Sequence, residues 1–283
     1  MKNFYLKIAI IFFVIACNRT DSVLDLEFDK KPFLIVENIT PLGAGDIHNA
    51  IMAYCLSELS IDVQNGINNR TALLDSNYRY CSDYFISNLG FNQTQIDTML
   101  FTFGTSKNAL IMQPPSQGFA SDSIINELIN SLNNQELRDL LNGIRTLIDT
   151  SVSCLQINEG CYNIINHAQS NLNEMDAIIV EVVCYITMNS CQYWTTNYDF
   201  WGTIFHNITY NIKSNDNNIF GIDNRAKRIL KRDAVAAIGG AITGALAGTP
   251  VLGVGAGAGA ILGACLGATY GSAFEGFWVA IGW

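Results

Sequence analysis

The side chains best suited to chemistry are few and scattered along this chain. His48, His167 and His206 are the only histidines in 283 residues. An imidazole that acts as a general base or metal ligand needs a carboxylate, hydroxyl or thiol beside it, and the spacing supplies none. Asp46 and His48 stand two apart and point to different sides of a helix. His48-Asn49 follows Gly45 at a helix start, where an imidazole can bond a neighbouring backbone group, so all three histidines read as structural. Asp176 and Glu181 are five apart and share a helix face poorly. With Glu174 they read as solvated carboxylates rather than an acid/base pair. No G-x-S-x-G, H-E-x-x-H or Walker-type sequence occurs. Gly253, Gly255 and Gly257 imitate a phosphate loop but have no preceding strand and no nearby lysine. The reading is a chain without catalytic residues, cofactor or metal site.

Thiols are the other reactive groups. Apart from Cys17, the cysteines are Cys55, Cys81, Cys154, Cys161, Cys184, Cys191 and Cys265. Cys154/Cys161 and Cys184/Cys191 share a seven-residue spacing, two turns of helix. On antiparallel helices Cys154 would face Cys191 and Cys161 would face Cys184, leaving Cys55 with Cys81. Six cysteines admit about fifteen connectivities, and the same six also suit a set of buried free thiols. There is no C-x-x-C pair or His/Cys cluster of the kind zinc requires. Cys265 lies in an apolar tail as a small side chain.

That tail carries the strongest pattern in the sequence. Gly240, Gly244 and Gly248 repeat every fourth residue, and so do Gly255, Gly259, Gly263, Gly267 and Gly271, while no charge interrupts Ala234 to Phe274. Residues four apart form one stripe along a helix, and a stripe without side chains lets a second helix approach to backbone distance. Thr249-Pro250 divides the region into segments about 22 and 36 Å long as helices. The second is long enough to cross a bilayer and the first is marginal. The second holds seven Val, Leu, Ile or Phe residues and seven glycines, so its insertion energy is close to zero. A lone helix is undecided; pairing in a hairpin or with another copy of the chain would settle it. Phe277-Trp278 and Trp283 suit an interfacial belt.

Helical periodicity dominates the rest. One helix is expected from Asp46, its N-cap, to about Leu59, and others over Asn77–Leu89, stopped by Gly90, and Asn92–Phe101. A loop over Gly104–Gln117 with Pro114-Pro115 follows. Ser121/Asp122 then opens a helix bearing Ile125, Leu128, Ile129 and Leu132. Leu137, Leu140, Leu141, Ile144, Leu147, Ile148 and Val152 continue the pattern after Asn133-Asn134, with an interruption expected at Glu159-Gly160. A further helix is expected over Asn173–Cys191. The aromatic run Tyr193 to Trp201 has a helical stripe suited to core packing. Phe33–Val36 is the one short apolar run that could pair as a strand. The fold class is mostly α: a body of six to eight helices followed by a Gly/Ala-rich helical hairpin.

The formal charge of −9 argues against nucleic acid as a partner, because phosphate neutralisation needs a broad basic surface. Arg225, Lys227, Arg228, Lys231 and Arg232 cluster just before the tail, where they suit either anionic headgroups or a solvated helix end.

The N-terminus begins MKNFYLKIAIIFFVIAC. Lys2 and Lys7 make a positive start and Ile8–Ala16 a nine-residue apolar stretch, too short to span a bilayer but sized for a signal peptide. Val14-Ile15-Ala16-Cys17 resembles a bacterial lipoprotein cleavage box, with Val where Leu is more usual. That resemblance implies cleavage before Cys17 and acylation of Cys17, which anchors the chain in lipid. Asn18 in place of Asp implies delivery to the outer membrane. An ordinary cleaved signal or an uncleaved anchor is the competing reading. Cys17 and the glycine ladders together resemble the glycine-zipper envelope lipoproteins, including the rickettsial surface-antigen type, over about 60 residues. Here the ladder follows a long helical body, a departure from that type. Gly45-Asp46-Ile47-His48-Asn49, the Tyr193-Trp194 segment and the Gly-rich end are also similar to lipoproteins of Bacteroidota-type bacteria.

The domain plan expected is a signal peptide over 1–16, a lipidated tether over 17–44, a helical body over 45–232 and the hairpin over 233–283. The function expected is that of a non-enzymatic envelope lipoprotein whose tail packs against membrane or helical partners. The alternative is a secreted membrane-inserting toxin or bacteriocin-like protein.

Overall fold

A computed structural model of the chain describes residues 39–115, 121–205, 222–248 and 254–282. The signal peptide, Cys17, the 33–36 run, His206, the Thr249-Pro250 break and Trp283 lie outside those residues. The described part is mostly α, with ten helices and no strand among the described residues.

The first helix, α1 (Pro41–Gln64), starts before Asp46. Thr40 caps it by accepting from the Gly43 amide at 3.2 Å, and Pro41 occupies the first turn. Proline suits that position because its fixed φ is helical and its missing N–H would be unpaired there anyway. The tether boundary expected at residue 44 therefore falls inside α1. Helix α2 (Arg70–Leu89) begins seven residues before the expected start, capped by Asn69, and ends where Gly90 adopts φ 71°. Helix α3 (Gln93–Thr102) carries a capping box between Asn92 and Gln95. The expected loop contains a short helix, α4 (Lys107–Met112).

Helices α5 (Asp122–Ser131) and α6 (Gln135–Thr150) follow the sequence pattern closely. The next break falls at Ser151–Ser153 rather than at Gly160. Helix α7 (Cys154–Asn171) runs through Gly160, where an added Cβ would strike the Leu147 side chain of α6. That glycine serves close helix approach, not termination. Helix α8 (Glu174–Phe205) absorbs the aromatic run and buries Trp194, Tyr198 and Trp201. The hairpin helices are α9 (Asn224–Ala247) and α10 (Ala256–Ala280). The boundary drawn at 232/233 lies inside α9.

Helix α10 is the axis of the bundle. Every residue from Gly259 to Ala280 is buried, with α9, α8, α1 and α2 packed around it. Burial on all sides is what a helix without a polar face demands. Phe277 and Trp278, expected at a lipid interface, are buried in this core, with the Arg70 guanidinium 4.9 Å from the Trp278 ring. Helix α2 is tied to α10 by Asn77 donating to the Ala273 carbonyl at 2.9 Å and by Ser82 with Tyr270 at 2.7 Å.

Candidate functional site

The two glycine ladders face each other across the α9/α10 seam. A Cβ on Gly244 would fall on the Gly259 carbonyl oxygen and 2.9 Å from Gly263 Cα. One on Gly263 would fall on the Gly240 carbonyl oxygen and 2.8 Å from Gly244 Cα; Gly259 repeats the pattern against Gly244 and Gly248. Gly267 and Gly271 meet Ala236. Backbone therefore packs on backbone, and only glycine fits. Gly255 is the exception in the ladder: nothing lies within 4 Å of its Cβ position, and it is the N-cap residue of α10. Outside the seam, Gly276 leaves room for the Trp194 ring, and Gly45 in α1 meets Asn189 and the Tyr185 carbonyl of α8.

At the end of the hairpin opposite its turn, four helices converge on Asp233. Its Oδ2 accepts from the Ser190 hydroxyl of α8, from Ser272 Oγ of α10 at 2.8 Å and from Trp194 Nε1 at 3.1 Å. Trp194 Nε1 also donates to Ser272 Oγ at 2.8 Å. His48 Nε2 of α1 stands 3.8 Å from the same carboxylate oxygen without a hydrogen-bond partner, and Asp233 Oδ1 likewise has none. His48 Nδ1 lies 3.0 Å from Asn49 Oδ1, and Asn49 donates to the Asn189 carbonyl. Glu275 receives Arg228 Nε at 2.6 Å. His48, Ser190, Asp233, Ser272 and Glu275 are all fully buried.

Burial governs the electrostatics of this knot. It lowers the His48 pKa from 6.5 to about 4, with the Asn49 contact pulling the other way. It also pushes the Asp233 carboxyl well above the usual range, against the donors from Ser190, Ser272 and Trp194. Serine, histidine and aspartate meet here, but both hydroxyls donate to the carboxylate, and His48 Nε2 contacts neither of them. A nucleophile must instead be hydrogen-bonded to its base. What the arrangement does is tie α8, α9 and α10 together at Asp233, with α1 joined to α8 beside it through Asn49 and Asn189.

The remaining candidates are held elsewhere. His167 Nε2 lies 2.8 Å from Glu136 at the surface. Asp176 accepts from Asn134 and Asn173, and Glu181 from Gln169. The basic cluster is occupied by protein partners rather than spread as a headgroup surface. Arg225 pairs with Asp223, Lys231 with Asp149, and Lys227 caps the C-terminal carbonyls of Asp149 and Ser151, while Arg232 is buried. A separate open cleft of about 690 Å³ is lined by Asp75, Tyr78, Gln93, Asp97, Phe101 and Lys107. No group of three potential metal ligands exists among the described residues.

The thiols sit in pairs. Cys154 and Cys191 form a disulfide between α7 and α8. Cys55 Sγ of α1 and Cys81 Sγ of α2 are 3.5 Å apart as buried thiols. Burial, with the neighbouring Cys161 thiol, raises the Cys184 thiol well above its ordinary range. Cys265 Sγ lies 3.7 Å from the Ala44 carbonyl oxygen.

Sequence reasoning missed Asp233, Ser190, Ser272 and Glu275. One signal was available: Asp233 and Glu275 are the two residues that immediately bracket the uncharged run. No family model, curated protein or solved structure matches this chain.

Proposed function

We propose that this chain is a non-enzymatic envelope lipoprotein, anchored through acylated Cys17, whose glycine-zipper hairpin is a lipid- or helix-packing module carried inside its own bundle. The observation that carries this reading is the reciprocal fit of Gly240, Gly244 and Gly248 with Gly259 and Gly263. Between Ala234 and Phe274, a hairpin whose inner face is satisfied by its own glycines leaves an uncharged outer face to cover. The body helices cover it here; lipid or a second copy of the chain has the same chemistry. The charge distribution supports lipid entry. The turn residues 249–253 carry no charge, and both bracketing acids, Asp233 and Glu275, lie at the opposite end, so no carboxylate needs to cross hydrocarbon.

Two measurements test the reading. Cells expressing the wild type are expected to show it in the outer-membrane fraction with incorporated palmitate label. Cys17→Ala is expected to lose the label and move to the soluble fraction. Equal partitioning of both forms, unlabelled, would remove the lipoprotein assignment. The second reading, a secreted membrane-inserting toxin or bacteriocin-like protein, is favoured by the length of α10. Its 25 residues make about 37 Å of helix, apolar enough to span a bilayer. Under that reading, purified protein releases dye from phosphatidylglycerol vesicles at nanomolar concentration; vesicles that stay sealed at micromolar protein rule it out.

A further inference from the structure

We propose that the oxidised protein is a pair of covalently closed helix clamps, α1–α2 and α7–α8, around a hairpin that no disulfide retains. This deepens the membrane-packing reading by naming the part that moves, and it rests on that reading for its second half.

The Cys154–Cys191 bond fixes the register of α7 against α8. Seven residues forward on α7 is Cys161 and seven residues back on α8 is Cys184. Both steps are two helical turns, so antiparallel helices bring these two thiols face to face as well, and the Cys161 thiol is one of the groups that raise the Cys184 thiol. The Cys55–Cys81 separation of 3.5 Å is van der Waals contact between sulfurs, within reach of a bond by small side-chain rotations. An exported chain meets oxidants that convert such pairs. The chemistry is two exchanges for each pair. One thiolate attacks an incoming disulfide, such as oxidised glutathione, giving a mixed disulfide and one equivalent of thiol. The partner thiolate then displaces the second thiol, so both electrons and both protons leave with the two thiols released. The four thiols are buried in the finished fold, so exchange takes place on the folding chain before the bundle closes.

The consequence is an uneven distribution of cross-links. Each clamp is tied within itself. Helix α9 has no cysteine, and Cys265 of α10 faces a carbonyl oxygen rather than a thiol. Opening at the hairpin therefore breaks no disulfide, and the hairpin can leave as a unit with its glycine seam intact.

Alkylation under denaturing, non-reducing conditions tests the clamps on protein refolded with oxidised glutathione. Of the cysteines from Cys55 onward, Cys265 alone is expected to react, with Cys55–Cys81, Cys161–Cys184 and Cys154–Cys191 peptides recovered in the digest. Free thiols at Cys55 or Cys161, or a different pairing, overturn the clamp assignment. Ala44→Cys tests the moving part, because a bridge to Cys265 ties α10 to the α1 clamp. In phosphatidylglycerol vesicles a lipid-phase carbene probe is expected to label α10 of the bridged form at least ten-fold less than that of wild type. The Ala44→Cys/Cys265→Ala control, which cannot bridge, is expected to match wild type. Equal labelling of bridged and unbridged protein overturns the moving-hairpin claim. If the bridge does not form, hydrogen exchange of vesicle-bound wild type takes its place: α1 and α8 amides that lose protection while α10 keeps it support the claim, and unchanged exchange in α1 and α8 overturns it. A vesicle-bound wild type whose α10 is never labelled overturns the membrane-entry reading itself, and the thiol map still decides the clamps.

Discussion

Gly244→Ala is expected to destabilise the protein by more than about 3 kcal/mol, although the same exchange in an exposed helix gains about 1 kcal/mol. The reversal follows from what the new methyl group meets. At Gly244 it lies on the Gly259 carbonyl oxygen and 2.9 Å from Gly263 Cα, and both are backbone atoms of a helix buried on every side. No side-chain rotation relieves the overlap. The seam must widen along its length, and each neighbouring glycine then loses its contact with the opposite backbone. Gly263→Leu, which adds four carbons at an equivalent point, is expected to prevent folding altogether. Gly143 is the internal control: it sits within α6 with nothing inside 4 Å of its Cβ position. Gly143→Ala should therefore gain about 0.5–1 kcal/mol from the reduced freedom of the unfolded chain. Urea titrations followed by circular dichroism read both effects. A Gly244→Ala midpoint equal to wild type would mean that the ladders do not pack as described. The same reasoning warns against bulky seam variants as probes of membrane activity, since they lose the fold first.

The pattern that revealed the seam was local, and this explains why it was legible. A four-residue glycine period belongs to a single helix and can be read without knowing its partner. Helices α5 and α6 were legible for a related reason: Ile125, Leu128 and Ile129, then Leu137, Leu141, Ile144 and Ile148, form one apolar stripe per helix beside polar surface. Where burial surrounds a helix, that contrast disappears. Phe277 and Trp278 looked like an interfacial belt because nothing in α10 distinguishes a lipid surface from the inside of a bundle. Helix α8 was expected to stop near Cys191 because the aromatic run has its own composition, but Tyr193, Trp194 and Trp201 continue the buried stripe. Boundaries shifted where caps were subtler than the residues chosen for them, as with Thr40 and Pro41 ahead of Asp46. The Asp233 knot was hidden by distance along the chain. His48, Ser190, Asp233 and Ser272 come from four helices, and no spacing rule links them.

Asp233→Asn is expected to make the protein more acid-labile than the wild type. Two opposing linkages set the difference. The folded His48 titrates at about 4 against 6.5 when unfolded, so its stability is present above 6.5 and is lost as pH falls toward 4. Asp233 is raised well above 3.8 in the fold, so its stability is full below 3.8 and is lost as pH rises through the folded value. Oδ2 accepts from Ser190, Ser272 and Trp194, and Oδ1 has no hydrogen-bond partner. The charges around the pair come from α9 and α10, namely Arg232, Arg228 and Glu275, while α8 contributes the buried Tyr193 hydroxyl and no charge. As pH falls below 6.5 the unfolded chain takes a proton at His48 that the fold refuses, while the raised Asp233 carboxyl holds in the fold a proton that the unfolded chain gives up, so the two slopes oppose each other. Asparagine removes the Asp233 slope and leaves His48 alone, whose shift from 6.5 to about 4 takes about 3 kcal/mol from the variant over that range. His48→Gln is expected to do the reverse, gaining stability as pH falls over the same range. Urea midpoints at pH 4, 5, 6.5 and 8 for the three proteins decide the matter, because the difference from wild type cancels every carboxylate they share. Parallel profiles would mean that His48 and Asp233 do not govern how this bundle responds to protons. Opposite slopes would place the linkage at the point where α1 and α8 hold the base of the hairpin.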